Sequence, residues 1–167
     1  MIQVYTGNGK GKTTAAFGLA LRAAGAGLNV YIGQFAKGCV YNEIKALKKI
    51  GKIKVEQFGR RCFIKNSPEK IDIQMALAGL MRINEIIAAK KYRVVILDEV
   101  NIAVKLKLIP LRGLLELIKR TPKTIELVIT GRDAHPKIIK LADLVSQIKE
   151  VKHYYIKGVK ARRGIEF

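Results

Sequence analysis

Thr6-Gly7-Asn8-Gly9-Lys10-Gly11-Lys12-Thr13-Thr14 is the stretch on which the fold turns. The run ahead of it, Ile2–Thr6, reads as a strand, and 13–26 behind it reads as a helix of small packing residues ending in a glycine-rich stop at Gly25 and Gly27. A glycine-rich loop between strand and helix points successive backbone N–H groups at one spot, and the helix start adds the positive end of its dipole. That is a seat for a phosphate anion. Glycine is required there because a Cβ would obstruct the anion or forbid the dihedrals. In such a loop Gly7, Asn8, Gly9, Lys10, Gly11 and Thr14 surround the anion, Lys12 brings a charge to the phosphates, and Thr13 offers a hydroxyl to a magnesium ion. The common pattern G-x-x-x-x-G-K-[ST] fails only at its first letter, where Thr6 stands. A glycine-rich turn without a ligand is the weaker reading, because strand, loop and helix are in register.

Working outward, short apolar runs alternate with helical segments. Strands are expected at Val30–Phe35, Ile53–Phe58, 94–97, 125–130 and 144–151. Helices are expected over 43–50, over 69–91 after Pro68, over 110–120 opened by Pro110, and at Pro136–Leu141. This alternation implies one α/β domain spanning 1–167, a parallel sheet with helices on both faces, and a ligand edge at the carboxyl ends of the strands. Lys and Arg number 32 against 13 Asp and Glu, a net charge of +19, so the partners are anionic: nucleotide, nucleic acid or acidic small molecules. A hydrophobic fraction of 49% argues against disorder. No apolar run approaches the ~20 residues of a membrane span. The N-terminus lacks the charged and apolar regions of a signal peptide. Cys39 and Cys62 match neither a zinc spacing nor a disulfide framework, which points to a reducing, cytoplasmic setting.

Three further clusters bear on chemistry. Val94-Val95-Ile96-Leu97-Asp98-Glu99 is an apolar strand ending in carboxylates and resembles a Walker B element, whose carboxylate reaches the magnesium held by Thr13. Spacing does not choose between Asp98 and Glu99. In Thr130-Gly131-Arg132-Asp133-Ala134-His135, an anion contact by Arg132 and a titrating His135 stand level with a plain solvated turn. The C-terminal run from Lys152 is basic with interleaved tyrosines; a nucleic-acid contact is the sharper reading and a solvated tail the blander one.

Taken together, these residues resemble the P-loop ATP:corrinoid adenosyltransferase family over nearly the whole chain. The loop, continuing through Ala15-Ala16-Phe17-Gly18 to Arg22-Ala23-Ala24-Gly25, is similar to the family's. So are Gln34-Phe35-Ala36-Lys37-Gly38, Leu97-Asp98-Glu99, Ile129-Thr130-Gly131-Arg132, Ala142-Asp143-Leu144-Val145 and the terminal Gly158-Val159-Lys160-Ala161 with Gly164-Ile165-Glu166. The missing first glycine is itself the family's pattern. The resemblance implies a three-layer P-loop NTPase-like (RecA-like) fold with a mainly parallel central sheet. It implies that Co(I) of a reduced corrinoid attacks C5′ of ATP and releases triphosphate, in cobalamin biosynthesis or salvage. The nucleotide lies in the reverse sense to ordinary NTPases. Lys12, Thr13 and Glu99 are then the catalytic set, with magnesium on Thr13 and Glu99. Lys10 joins Lys12 on the triphosphate, Arg22 contacts adenosine, and Phe63 presses on the corrinoid's lower face. ATP and a corrinoid are the substrates, an electron donor supplies Co(I), and the assembly is a homodimer. The terminal run belongs to the active-site region, which weakens the nucleic-acid reading.

The chain departs from the family at Lys65, where a tryptophan pairs with the position of Phe63, and at Gln147, where an acidic residue is common. It also opens at the first strand, without the N-terminal helix that some relatives carry. Three other functions compete: a P-loop NTPase or kinase that cleaves the γ-phosphate, a basic nucleic-acid-binding module, and a paralogue that binds ATP and corrinoid without transfer.

Overall fold

Six parallel strands form one sheet, in which the third, second, fourth, fifth, first and sixth strands of the chain lie side by side in that order. The computed structural model describes residues 1–39, 41–60 and 67–166. The strands are β1 (Ile2–Thr6), β2 (Val30–Phe35), β3 (Ile53–Phe58), β4 (Val94–Asp98), β5 (Glu126–Thr130) and β6 (Leu144–Gln147). The helices are α1 (Lys12–Gly25), α2 (Asn42–Leu47), α3 (Lys70–Ala89), α4 (Val100–Lys105), α5 (Leu111–Arg120) and α6 (Pro136–Leu141), followed by a 3-10 turn at Tyr154–Lys157. Among the described residues no helix is long and apolar enough to cross a membrane.

Strand alternation builds the two cores. In β4, Val94 and Ile96 pack toward α1 and α2, whereas Val95 and Leu97 pack toward α3, α4 and α5. Both faces of β4 are therefore apolar, as a central parallel strand requires. Against the first face α1 presents Ala16, Ala20 and Ala23, whose small side chains let the helix lie close to the sheet. Against the second, α3 presents Ala76, Leu80, Ile83 and Ile87 at helical spacing. The ends of these helices are fixed locally. At α1 the Gly27 N–H donates to Ala24 O at 2.9 Å and Leu28 N–H to Ala23 O at 3.0 Å, with Gly27 at φ 82°. That is a Schellman stop, and it needs glycine at the left-handed position. At α3 a capping box joins Glu69 and Asp72. Arg60 holds both carboxylates, with Nε 2.7 Å from Asp72 Oδ1.

The structure extends or shortens several expected elements. Helix α4 follows β4 after a single residue, Glu99, in left-handed conformation at φ 59°; sequence periodicity over so short a segment gave no signal. The last strand ends at Gln147 rather than at 151. Beyond it the chain turns to back the phosphate loop: Gly9 N–H donates to Ile148 O at 2.9 Å, and Ile148 N–H donates to Thr6 O at 2.8 Å. Pro110 stands just outside α5 as its extended N-cap.

Because every ladder is parallel, the carboxyl ends of all six strands share one edge. Helix α1 leaves β1 toward one face, while the helices after β4 and β5 pack on the other. A crevice opens at such a reversal, and ligands of open α/β sheets bind there.

Candidate functional site

The loop after β1 is shaped by its backing. A Cβ on Gly7, at φ 99°, would stand 2.4 Å from Ile148 O, and one on Gly9 would stand 2.7 Å from Lys149 O. These glycines thus serve close packing against the segment after β6 as well as the loop's own curvature. Gly11, at φ 120°, is the N-cap of α1. Lys12 follows it and is buried, with Nζ donating to Gly9 O at 2.7 Å. Burial is the largest influence on Lys12 and pushes its pKa down; Arg132 and Lys37 add to that, against Glu99 and Asp98. A desolvated ammonium among other cations gains from an incoming anion.

Asp98, at the end of β4, is fully buried and satisfied by four donors. Its Oδ1 accepts from Thr13 Oγ1 at 2.9 Å and Thr130 Oγ1 at 2.7 Å. Its Oδ2 accepts from Gln34 Nε2 at 2.9 Å and Lys37 Nζ at 3.4 Å. Register explains part of this, since Gln34 and Asp98 are paired residues on β2 and β4. Gln57 on β3 extends the network, donating to Gln34 Oε1 at 2.9 Å. The next residue, Glu99, lines the crevice, and its Oε1 lies 3.5 Å from Lys37 Nζ. Lys37 also reaches Thr13 Oγ1 at 3.5 Å. Burial is the strongest single influence on Lys37 and lowers its pKa, but Asp98 and Glu99 together leave it raised, so it is a firmly held ammonium.

Three hard oxygen donors from Thr13, Asp98 and Glu99 thus already surround one cation. Such a set suits magnesium, which takes one or two carboxylates and completes its shell with phosphate and water. Among the described residues no group of three or more His, Cys, Asp or Glu side chains that could hold a metal ion comes together.

Beside these groups lies a cavity of about 1010 Å³. Asn8 through Thr14 line it, with Glu99 and Arg132 on its charged side and Phe17, Leu21, Leu47 and Ile50 on an apolar side formed by α1, α2 and the turn after α2. The terminal segment also lines it, through His153, Gly164, Ile165 and Glu166. Lys10 Nζ ties that segment down, donating at 2.7 Å to Tyr154 Oη and at 2.7 Å to Glu166 Oε1. Tyr154 also bonds Glu166, and the Arg162 guanidinium stacks 4.9 Å from the Tyr154 ring. Arg162, Lys10 and Tyr154 hold the Glu166 carboxyl well below the usual carboxylate range.

The expected residues Gly9, Lys10, Gly11, Lys12, Thr13, Thr14, Asn8 and Glu99 all meet at this cavity, with Gly7 just beneath. Lys10 differs from expectation in that its ammonium is directed to the terminal segment. Arg22 is exposed on α1 and is not among the described residues lining the cavity; its charge is felt at Tyr5 instead. Phe63, together with Cys62 and Lys65, lies outside the described residues. His135 caps α6, its Nδ1 accepting from Lys137 N–H at 3.1 Å. Sequence reasoning missed the parts of Gln34, Lys37, Gln57 and Thr130; the only trace of Lys37 was its place in the quoted block after β2.

A glycine-rich loop with a buried lysine, and a carboxylate-tipped strand one strand away on a parallel sheet, define a P-loop nucleotide-binding α/β protein. A KaiC-like protein from the hyperthermophilic archaeon Pyrococcus horikoshii OT3 aligns with a TM-score of 0.59 over 90% of this chain and 73% of that one, at 15% identity, a likeness of fold alone. The model of the ATP:corrinoid adenosyltransferases BtuR/CobO/CobP matches residues 1–167. The corrinoid adenosyltransferase CobA of Salmonella typhimurium is 35% identical over 167 residues, covering 100% of this chain and 85% of that protein. The corrinoid adenosyltransferase of Pseudomonas aeruginosa is 34% identical over 169 residues, covering 100% and 83%. The chain belongs to the ATP:corrinoid adenosyltransferase family. Neither γ-phosphate cleavage nor nucleic-acid binding is favoured by these relatives.

Proposed function

We propose that this protein transfers the 5′-deoxyadenosyl group of ATP to the Co(I) centre of a reduced corrinoid. The substrate's cobalt donates its electron pair to C5′, a Co–C bond forms, the C5′–O bond breaks, and the pair leaves on triphosphate. The nucleophile belongs to the substrate, so no Ser, Cys or His base is required. The protein's work is positioning and neutralising the departing charge. The observation that carries this reading is the convergence of the loop, Lys12, Thr13 and Glu99 on one cavity in a chain of this family. At about 1010 Å³ that cavity lies at the upper end of the ~300–1,000 Å³ of small-molecule sites, which leaves room beside a nucleotide.

Each residue has a part. The loop N–H groups and Lys12 receive the triphosphate as a leaving group. Magnesium, when bound, supplies further positive charge to that group, and Thr13 and Glu99 are the side chains that would hold it. Asp98 orients Thr13 from beneath, because its own oxygens are already engaged by four donors. Lys10 clamps the terminal segment against the loop beside the cavity. The same reading carries a homodimer, a cytoplasmic location, action as one domain, and an electron donor that supplies Co(I). Replacing Lys12 tests it. In an anaerobic assay with ATP, magnesium and chemically reduced corrinoid, Lys12→Ala loses at least about 10²-fold in transfer; turnover at the wild-type rate overturns the loop's role.

A further inference from the structure

Lys37 occupies the position between the oxygen donors. It follows β2 through Ala36, whose φ of 53° turns the chain back over the sheet edge. Its side chain is only 16% exposed, and its ammonium lies 3.4 Å from Asp98 Oδ2 and 3.5 Å from Glu99 Oε1. Thr13 Oγ1, at 3.5 Å, completes the set. These atoms come from α1, β4 and the residue after β4, and they include the side chains given above to magnesium. An ammonium and a divalent cation repel strongly at such range, and both draw on the same oxygens.

We infer that Lys37 is a tethered counter-cation of the metal site: it fills the position among Thr13, Asp98 and Glu99 in the nucleotide-free protein and is displaced toward the triphosphate when the divalent cation enters. The inference rests on the magnesium assignment under the proposed function. It has two consequences. Without nucleotide, the divalent ion must compete with a fixed positive charge, so it binds weakly. With ATP, the triphosphate receives the displaced ammonium, so metal and nucleotide enter together. Lys37 is thus a positioning residue that couples metal binding to nucleotide binding.

Mn²⁺ tests this without turnover or corrinoid, because the bound ion is read directly by electron paramagnetic resonance. In the nucleotide-free protein, Lys37→Met tightens Mn²⁺ binding by at least about tenfold, equivalent to about 1.4 kcal/mol. Lys37→Gln retains hydrogen-bonding capacity without the charge and shows the same tightening, which covers the case in which the methionine variant does not fold. Lys37→Arg keeps the charge and stays as weak as the wild type. With ATP present the order reverses, and the neutral variants bind Mn²⁺–ATP less tightly than the wild type. A generic loss of local structure would weaken both measurements. Unchanged nucleotide-free affinity in Lys37→Met and Lys37→Gln overturns the inference, and if Glu99→Gln still weakens Mn²⁺–ATP binding the metal site itself stands. Wild-type Mn²⁺–ATP binding in Glu99→Gln overturns the metal assignment and the inference with it.

Discussion

Asp98 carries more of the site than any other single residue, although it does not line the cavity. It is a buried carboxylate that gathers Thr13, Thr130, Gln34 and Lys37 from three segments of the chain. Removing it leaves a buried amide without its acceptor and an ammonium short of a counter-charge. Breaking a buried pair from one side costs about 3–5 kcal/mol. Asp98→Ala therefore loses that much stability in metal-free chemical denaturation, and a loss below about 1 kcal/mol would contradict the hub. The residues of the loop were legible because Gly7 to Thr14 lie in one unbroken string whose spacing states the chemistry. The partners of Asp98 were not. Gln34 and Lys37 stand at the end of β2 and just after it, Thr130 at the end of β5, and only the strand order brings them to Asp98. Glu99 was legible as one of two carboxylates; the structure separates the two by depth, with Asp98 sealed and Glu99 on the cavity wall.

At the level of elements, apolar periodicity located β1, β2 and β3 with the bounds the structure has, because buried strands are short, continuous and bounded by turn residues. It missed α4, which offers less than two turns, and it overran β6, whose continuation is recruited to back the loop. The packing of β3 on α3 was equally hidden. The Phe58 ring sits between two glycines: a Cβ on Gly79 of α3 would stand 2.5 Å from Phe58 Cγ, and one on Gly33 of β2 would stand 3.2 Å from Phe58 Cε2. Gly79→Ala gains about 1 kcal/mol of helix propensity but overpacks at a cost of about 1–3 kcal/mol. The contact extends to Phe58 Cβ at 2.8 Å, which moves only with the backbone. The variant is therefore destabilised by about 1 kcal/mol in urea denaturation, and a stabilised variant would show that β3 and α3 are free to part.

For the molecule as a whole, the sheet order sets what the site can be. β5 lies between β1 and β4, so the phosphate loop meets the carboxylates across one strand, with Thr13 Oγ1 donating to Asp98 Oδ1 at 2.9 Å. Thr130 at the end of that strand fills the gap, donating to Asp98 and accepting from the Glu99 N–H at 3.0 Å. The strand order itself was not legible, since apolar runs carry no record of their neighbours. The net charge of +19 was legible as a preference for anions but not as a choice among them. The folded chain directs that charge: Lys12, Lys37 and Arg132 converge on the cavity, Lys10 ties the terminal segment to the loop, and Arg162 braces that segment internally against Tyr154 and Glu166. A basic tail that reads as solvated in isolation is thereby part of the site. The central claim is that the loop holds triphosphate as a leaving group while C5′ is attacked. It is tested most directly by identifying the products of one anaerobic incubation with ATP, magnesium and Co(I) corrinoid. Adenosylated corrinoid with an equal amount of intact triphosphate is the predicted result; ADP and orthophosphate, with the corrinoid unaltered, would contradict it.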